Sequence, residues 1–165
     1  MKYSSNDSEN KKKVLWSETE AVILMQKYCA VQDRCHAEVR TKLLEHGIYG
    51  DVLEEIISDL ISEGFLDEER FAKSYVRGKF RMKGWGRIKI VQELKFRKIS
   101  EYSIREGLKE IHEPEYWETL ERLYQKKLMT TQYKDKYDLH GKMSAYLMSK
   151  GYEYEMIKEV LSAEE

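Results

Sequence analysis

The feature that most constrains this chain is a set of apolar positions that recurs three times at nearly equal spacing. With Gly47, Lys98 and Gly151 aligned, Val39, Ile90 and Met143 stand eight residues earlier, and Leu43, Leu94 and Leu147 four earlier. Ile48, Ile99 and Tyr152 follow one residue later, Leu53, Ile104 and Ile157 six later, and Ile57, Leu108 and Leu161 ten later. An acidic column, Glu55, Glu106 and Glu159, lies eight later, and the anchors are 51 and 53 residues apart. Positions −8 and −4 share one face of a helix; +6 and +10 share one face of the next. Position +1 precedes that second helix and meets +6 in a hydrophobic staple. A period near fifty residues predicts tandem helical units, each too small to bury more than a thin core alone.

Local signals complete each unit as three helices. Ser17 and Glu20 form a capping box for a first helix reaching about Gln32, with Ala21, Leu24, Met25 and Tyr28 as its apolar stripe. Further helices are expected from about His36 to His46 and from Gly50 to Glu63, each stopped by a glycine. Asp67 caps a fourth, with Glu68 and Glu69 in its first turn and Leu66 and Phe71 placed as a staple; it reaches about Met82. Gly86 to Arg97, Ser100 to Ile111, Pro114 to Thr131, Lys136 to Lys150 and Glu153 to Ala163 complete the set. The fold class is therefore all-α: three tandem three-helix repeats in an elongated array that can curve. The expected divisions are a mobile tail at 1–16 and repeats at 17–64, 65–112 and 113–165, with Lys11, Lys12 and Lys13 read as solvated.

Several function classes are absent. Cys29 and Cys35 are too few for a disulfide scaffold, and with His36 they lack the paired spacing of a zinc site. No nucleophile motif, phosphate-cradling glycine loop or carboxylate pair appears. The chain reads as a non-enzyme with no cofactor and no metal. Without an 18-residue apolar run or a signal-like N-terminus, it is expected to be cytoplasmic and to avoid membranes.

The net charge of −1 hides a segregation. Residues 1–72 carry a net −6, residues 73–98 a net +9 and residues 99–165 a net −4. The basic block points to a polyanionic or acidic partner. Lys73, Arg77, Lys79, Arg81 and Lys83 lie on the fourth helix, and Arg87, Lys89, Lys95, Arg97 and Lys98 on or just after the fifth. Between them stands Gly84-Trp85-Gly86. Trp85 can stack on a base or partner, or wedge within the array. The start of the fifth helix offers backbone N–H groups to an anion. Phe71 and Tyr75 read as core, whereas Phe80 and Phe96 fit either side.

Gly64-Phe65-Leu66-Asp67-Glu68-Glu69-Arg70-Phe71-Ala72-Lys73-Ser74-Tyr75-Val76 resembles the glycine, leucine, acidic-pair, Arg-Phe-Ala, Tyr-Val run of the RecX family. Gly86 to Leu94 resembles that family's glycine-led helix ending in Glu-Leu, and Arg34 to Leu43 its Arg-Ser, Glu-Leu, Lys-Leu helix. The resemblance covers about residues 17–163. Cys35 departs from the usual capping serine, Lys98 from the usual glycine, and the third unit matches only in its apolar columns. The resemblance implies a monomeric, non-enzymatic regulator that lodges on the RecA–single-stranded DNA filament and impedes RecA ATPase activity, filament growth and strand exchange. It also implies, for some members, direct binding to single-stranded or double-stranded DNA.

Two other readings stay open at this level. One is a helix-turn-helix protein that reads sequence in the major groove; against it, Asp51, Glu54, Glu55, Asp59, Glu63, Glu153, Glu155 and Glu159 load its recognition helices with negative charge. The other is a helical-repeat adaptor that binds protein and ignores DNA.

Overall fold

The computed structural model describes residues 14–163, so the lysine triplet at 11–13 lies outside the described residues. Every regular element among them is an α-helix: α1 (Glu18–Val31), α2 (His36–Glu45), α3 (Gly50–Ser62), α4 (Glu68–Lys83), α5 (Arg87–Phe96), α6 (Glu101–Leu108), α7 (Glu113–Leu128), α8 (Lys136–Lys150) and α9 (Tyr154–Ser162). The chain divides into two compact units, Met1–Leu66 and Asp67–Glu165.

In the first unit, α1 to α3 enclose one core. Ala21, Met25 and Cys29 from α1 meet Val39 and Leu43 from α2 and Leu53, Ile56, Ile57 and Leu60 from α3. The buried row of α1 thus runs i, i+4, i+8. Leu24, expected in the stripe, is 38% exposed, and Cys29 takes the inward position instead. The capping box forms: the Ser17 N–H donates to Glu20 at 2.8 Å, and the Glu20 N–H donates to the Ser17 hydroxyl at 3.3 Å. At Cys35, Glu38 accepts from the backbone N–H at 2.9 Å, the half of such a box that needs no hydroxyl. The Cys35 side chain is fully buried, and burial raises its thiol pKa. Residues 14–16, read as part of the tail, are tied to α2: His46 Nδ1–H donates to the Val14 carbonyl at 2.7 Å, and Trp16 stacks on the His46 ring at 3.7 Å.

The second unit holds α4 to α9. Gly107 lets α6 lie against α4, because a Cβ there would meet the Ala72 carbonyl and the Val76 side chain at 3.1 Å. Glu68, at the start of α4, accepts from the Ser100 N–H at 2.5 Å and its hydroxyl at 3.1 Å, which fixes the start of α6. Asp67 caps α4 as expected, at 2.8 Å from the Arg70 N–H. Phe71, Ala72, Val76 and Phe80 are buried, while Tyr75, read as core, is half-buried and Phe96 is 85% exposed. The acid-led run at 67–76 is therefore largely a packing device. α6 stops at Leu108 rather than Ile111, where the chain tightens into turns that bury Ile111.

The recurring columns are one structure written three times. Apart from half-buried Leu108, every apolar column residue is buried. At each anchor the same bond closes the second helix: Ile48 N–H to Leu43 O at 3.0 Å, Ile99 to Leu94 at 3.1 Å and Tyr152 to Leu147 at 3.3 Å. That bond needs a left-handed residue at the anchor, and Gly47, Lys98 and Gly151 have φ of 83°, 57° and 94°.

Candidate functional site

The basic block of residues 73–98 lies entirely in the second unit, and tertiary structure splits it. Acids from outside the block return to meet its arginines. Arg77 pairs with Glu110 at 3.1 Å and Arg81 with Glu115 at 3.4 Å. Lys73 pairs with Glu69 at 2.6 Å within α4, and Arg97, just past the end of α5, pairs with Glu93 at 2.8 Å. Exposed pairs of this kind contribute about 0–1 kcal/mol. Arg77 and Arg81, each about half-exposed, can therefore exchange their carboxylates for those of a partner or for phosphates at little cost.

Arg87 is different. Its guanidinium bonds Glu113 and reaches Glu153 at 3.4 Å while lying 4.0 Å over the Tyr116 ring. The fully buried Tyr116 accepts from the Arg87 N–H at 3.0 Å and donates to Glu153 at 2.6 Å. Burial, reinforced by the bond to Glu153, pushes the Tyr116 phenol far above the usual tyrosine range. Arg87 thus ties α5 to α7 and to the start of α9.

The expectation of an anion site at the start of α5 is overturned. The Gly86 N–H donates to Lys150 O at 2.8 Å, the Ile88 N–H to Gly151 O at 3.0 Å, and the intervening Arg87 N–H to Tyr116. The end of α8 fills the place an anion would take, so the first three donors are already bonded.

Trp85 is half-buried beside two lysines, with Lys79 Nζ 4.9 Å and Lys89 Nζ 4.6 Å from its ring. Lys79 also lies 5.2 Å over Tyr75, and Lys89 donates to Ser149 O at 3.3 Å. Trp85 thus makes cation–π contacts within its own unit. Lys83, Lys95 and Lys98 remain exposed.

Lys83 also joins residues that sequence reasoning passed over. The ends of α4, α7 and α8 surround a concavity of about 480 Å³ whose lining includes Arg81, Lys83, Arg122, Lys126, Lys127 and Lys150 and no acidic side chain. Four of these six lie in the segment of net −4, where charge averaged along the chain conceals them. Arg122 and Lys126 at i, i+4 were the local signal that could have found them. Among the described residues no group of three His, Cys, Asp or Glu could hold a metal ion, and no helix is long and apolar enough to cross a membrane.

Comparison with known proteins agrees with this architecture. The family model for the RecX second three-helix domain matches residues 67–108, and that for the third three-helix domain matches residues 113–161. Regulatory protein RecX of Pelodictyon phaeoclathratiforme is 29% identical over 86% of either chain, and that of Vibrio campbellii 31% identical over 92% of this chain and 99% of its own. Some relatives are longer, and the chain spans 58% and 48% of two of them. A crystal structure of regulatory protein RecX superposes with a TM-score of 0.77 at 26% identity, covering 86% of this chain and 73% of that one. Matched across both three-helix domains of its second unit and along nearly the full length of a relative, the chain belongs to the RecX family.

Proposed function

We propose that this protein binds the RecA–single-stranded DNA filament and modulates it, chiefly by slowing RecA ATP turnover, filament growth and strand exchange in homologous recombination and DNA repair. The observation that carries this reading is the coincidence of the RecX domain matches at 67–161 with a unit whose cations face outward on α4, α5, α7 and α8. A protein filament on single-stranded DNA would offer phosphates and any acidic side chains of its protein, and this unit offers exchangeable arginines and exposed lysines to both. Reading sequence in the major groove fits poorly, because Asp51, Glu54, Glu55 and Asp59 on α3 and Glu155 and Glu159 on α9 are exposed acids that repel phosphate.

The test is RecA ATPase activity on single-stranded DNA with the protein titrated in. Turnover should fall with saturation, and strand exchange with it. If both stay unchanged at saturating protein, this reading is lost.

A further inference from the structure

The concavity where α4, α7 and α8 end is more basic than its structural duties require. Cations near helix C-termini offset the negative end of the dipole, worth roughly half an elementary charge per helix. Three helix ends therefore call for about one and a half positive charges. The lining carries six basic side chains, Arg81, Lys83, Arg122, Lys126, Lys127 and Lys150, and no acid. Of these, Arg81 alone has a carboxylate partner among the described ion pairs, Glu115 at 3.4 Å. Lys127 and Lys150 lie over the Tyr146 ring at 5.2 and 5.7 Å, which brings their like charges together within the lining.

We propose that this concavity grips the phosphate backbone of a single strand of nucleic acid. It deepens the functional reading above by giving the DNA of the filament a contact in the family's third domain. Arg122 and Lys126 stand one helical step apart, about 6 Å along α7, an interval that suits successive phosphates of an extended strand. The concavity, about 480 Å³ and open to solvent, has room for one sugar–phosphate backbone. An acidic protein segment is the weaker occupant. Protein hot spots need a desolvated aromatic or apolar anchor, and the large non-basic side chains here, exposed Met82 and half-buried Leu123 and Tyr146, stand among six cations. Phosphate binding needs only clustered cations, supplied here largely by lysine point charges.

The experiment is fluorescence anisotropy of the 165-residue chain on labelled oligothymidylate, without recombinase, across a salt series. Lys126→Glu with Lys127→Glu should weaken binding at least tenfold and flatten the salt slope, which for single strands is roughly 0.7 per phosphate contact. Lys126→Gln with Lys127→Gln should weaken it less but in the same direction. Lys142→Glu with Lys158→Glu makes the same change in net charge away from the concavity and should leave affinity within about twofold, as expected of local contacts in screened solution. Circular dichroism checks that each variant folds. Equal loss in the distant control, no loss in the lysine pair, or polyglutamate binding as tightly through the same two lysines would overturn the assignment. The ATPase assay is read separately: variants that lose oligonucleotide yet still slow RecA support the strand site and leave the filament reading intact.

Discussion

Single residues show where this chain departs from its own pattern. Lys98 holds φ 57° at an anchor where the other two repeats place glycine. A left-handed conformation costs a residue with a Cβ about 1–2 kcal/mol, part of which glycine gives back as lost chain entropy. Lys98→Gly is therefore expected to stabilise the protein by about 0.5–1 kcal/mol, or roughly 1–4 °C in melting temperature. A lower melting temperature by circular dichroism would mean that the lysine side chain contributes more than the strain it bears. Tyr116 makes a second prediction. Its folded phenol and that of Tyr152, both buried, titrate above the ordinary value of 10.0. The unfolded chain thus releases these protons first as pH rises. The stability they confer is complete below pH 10 and is lost progressively above it. Tyr116→Phe should cost about 1–3 kcal/mol at neutral pH by leaving the Arg87 N–H without its acceptor. It should also flatten the loss of stability above pH 10. An alkaline limb of unchanged slope would assign that limb to other groups.

At the scale of elements the sequence was most informative. Helix starts at Ser17 and Asp67 are local events, set by side chains bonding within three residues, so they can be read from a short window. The three anchors are equally local, since one carbonyl five residues back completes each. The start of α5 could not be read this way. Its partners Lys150, Gly151 and Tyr116 lie tens of residues downstream, and nothing near Gly86 announces them. Two glycines make that docking possible. A Cβ on Gly86 would collide with Gly151 O and stand 2.6 Å from Tyr152 N, and one on Gly151 would stand 2.6 Å from Lys89 N. Backbone atoms cannot rotate aside as a side chain can. Gly86→Ala and Gly151→Ala are each expected to cost about 3 kcal/mol or more, whereas Gly78→Ala, with nothing within 4 Å, should be neutral or slightly stabilising. Equal melting temperatures for all three variants would show that α5 and α8 can part without loss.

For the whole molecule, charge is the quantity that sequence order misrepresents. A net +9 over residues 73–98 looked like one continuous surface. Folding brings Glu110, Glu113 and Glu115 back against Arg77, Arg87 and Arg81, while α7 and α8 carry fresh cations to Lys83. The fold was legible because burial repeats with the period of the helix. The site was legible only in part, because surface potential depends on which distant segments meet. Arg77 and Arg81 sit on that boundary, paired yet exposed, and they separate two accounts of the block. If their pairs only stabilise the fold, Arg77→Glu with Arg81→Glu places like charges beside Glu110 and Glu115 and costs roughly 1 kcal/mol per site, with filament binding untouched in the folded fraction. If they exchange their acids for a partner, the same variant keeps its helical circular dichroism yet binds the RecA–single-stranded DNA filament at least tenfold more weakly. The second outcome is expected, because the intramolecular pairs are weak enough to break while a multi-site polyanion can replace several of them at once. Binding to the preformed filament, measured by anisotropy at two salt concentrations, distinguishes the two. A variant that binds like the parent at both would move the interface off α4.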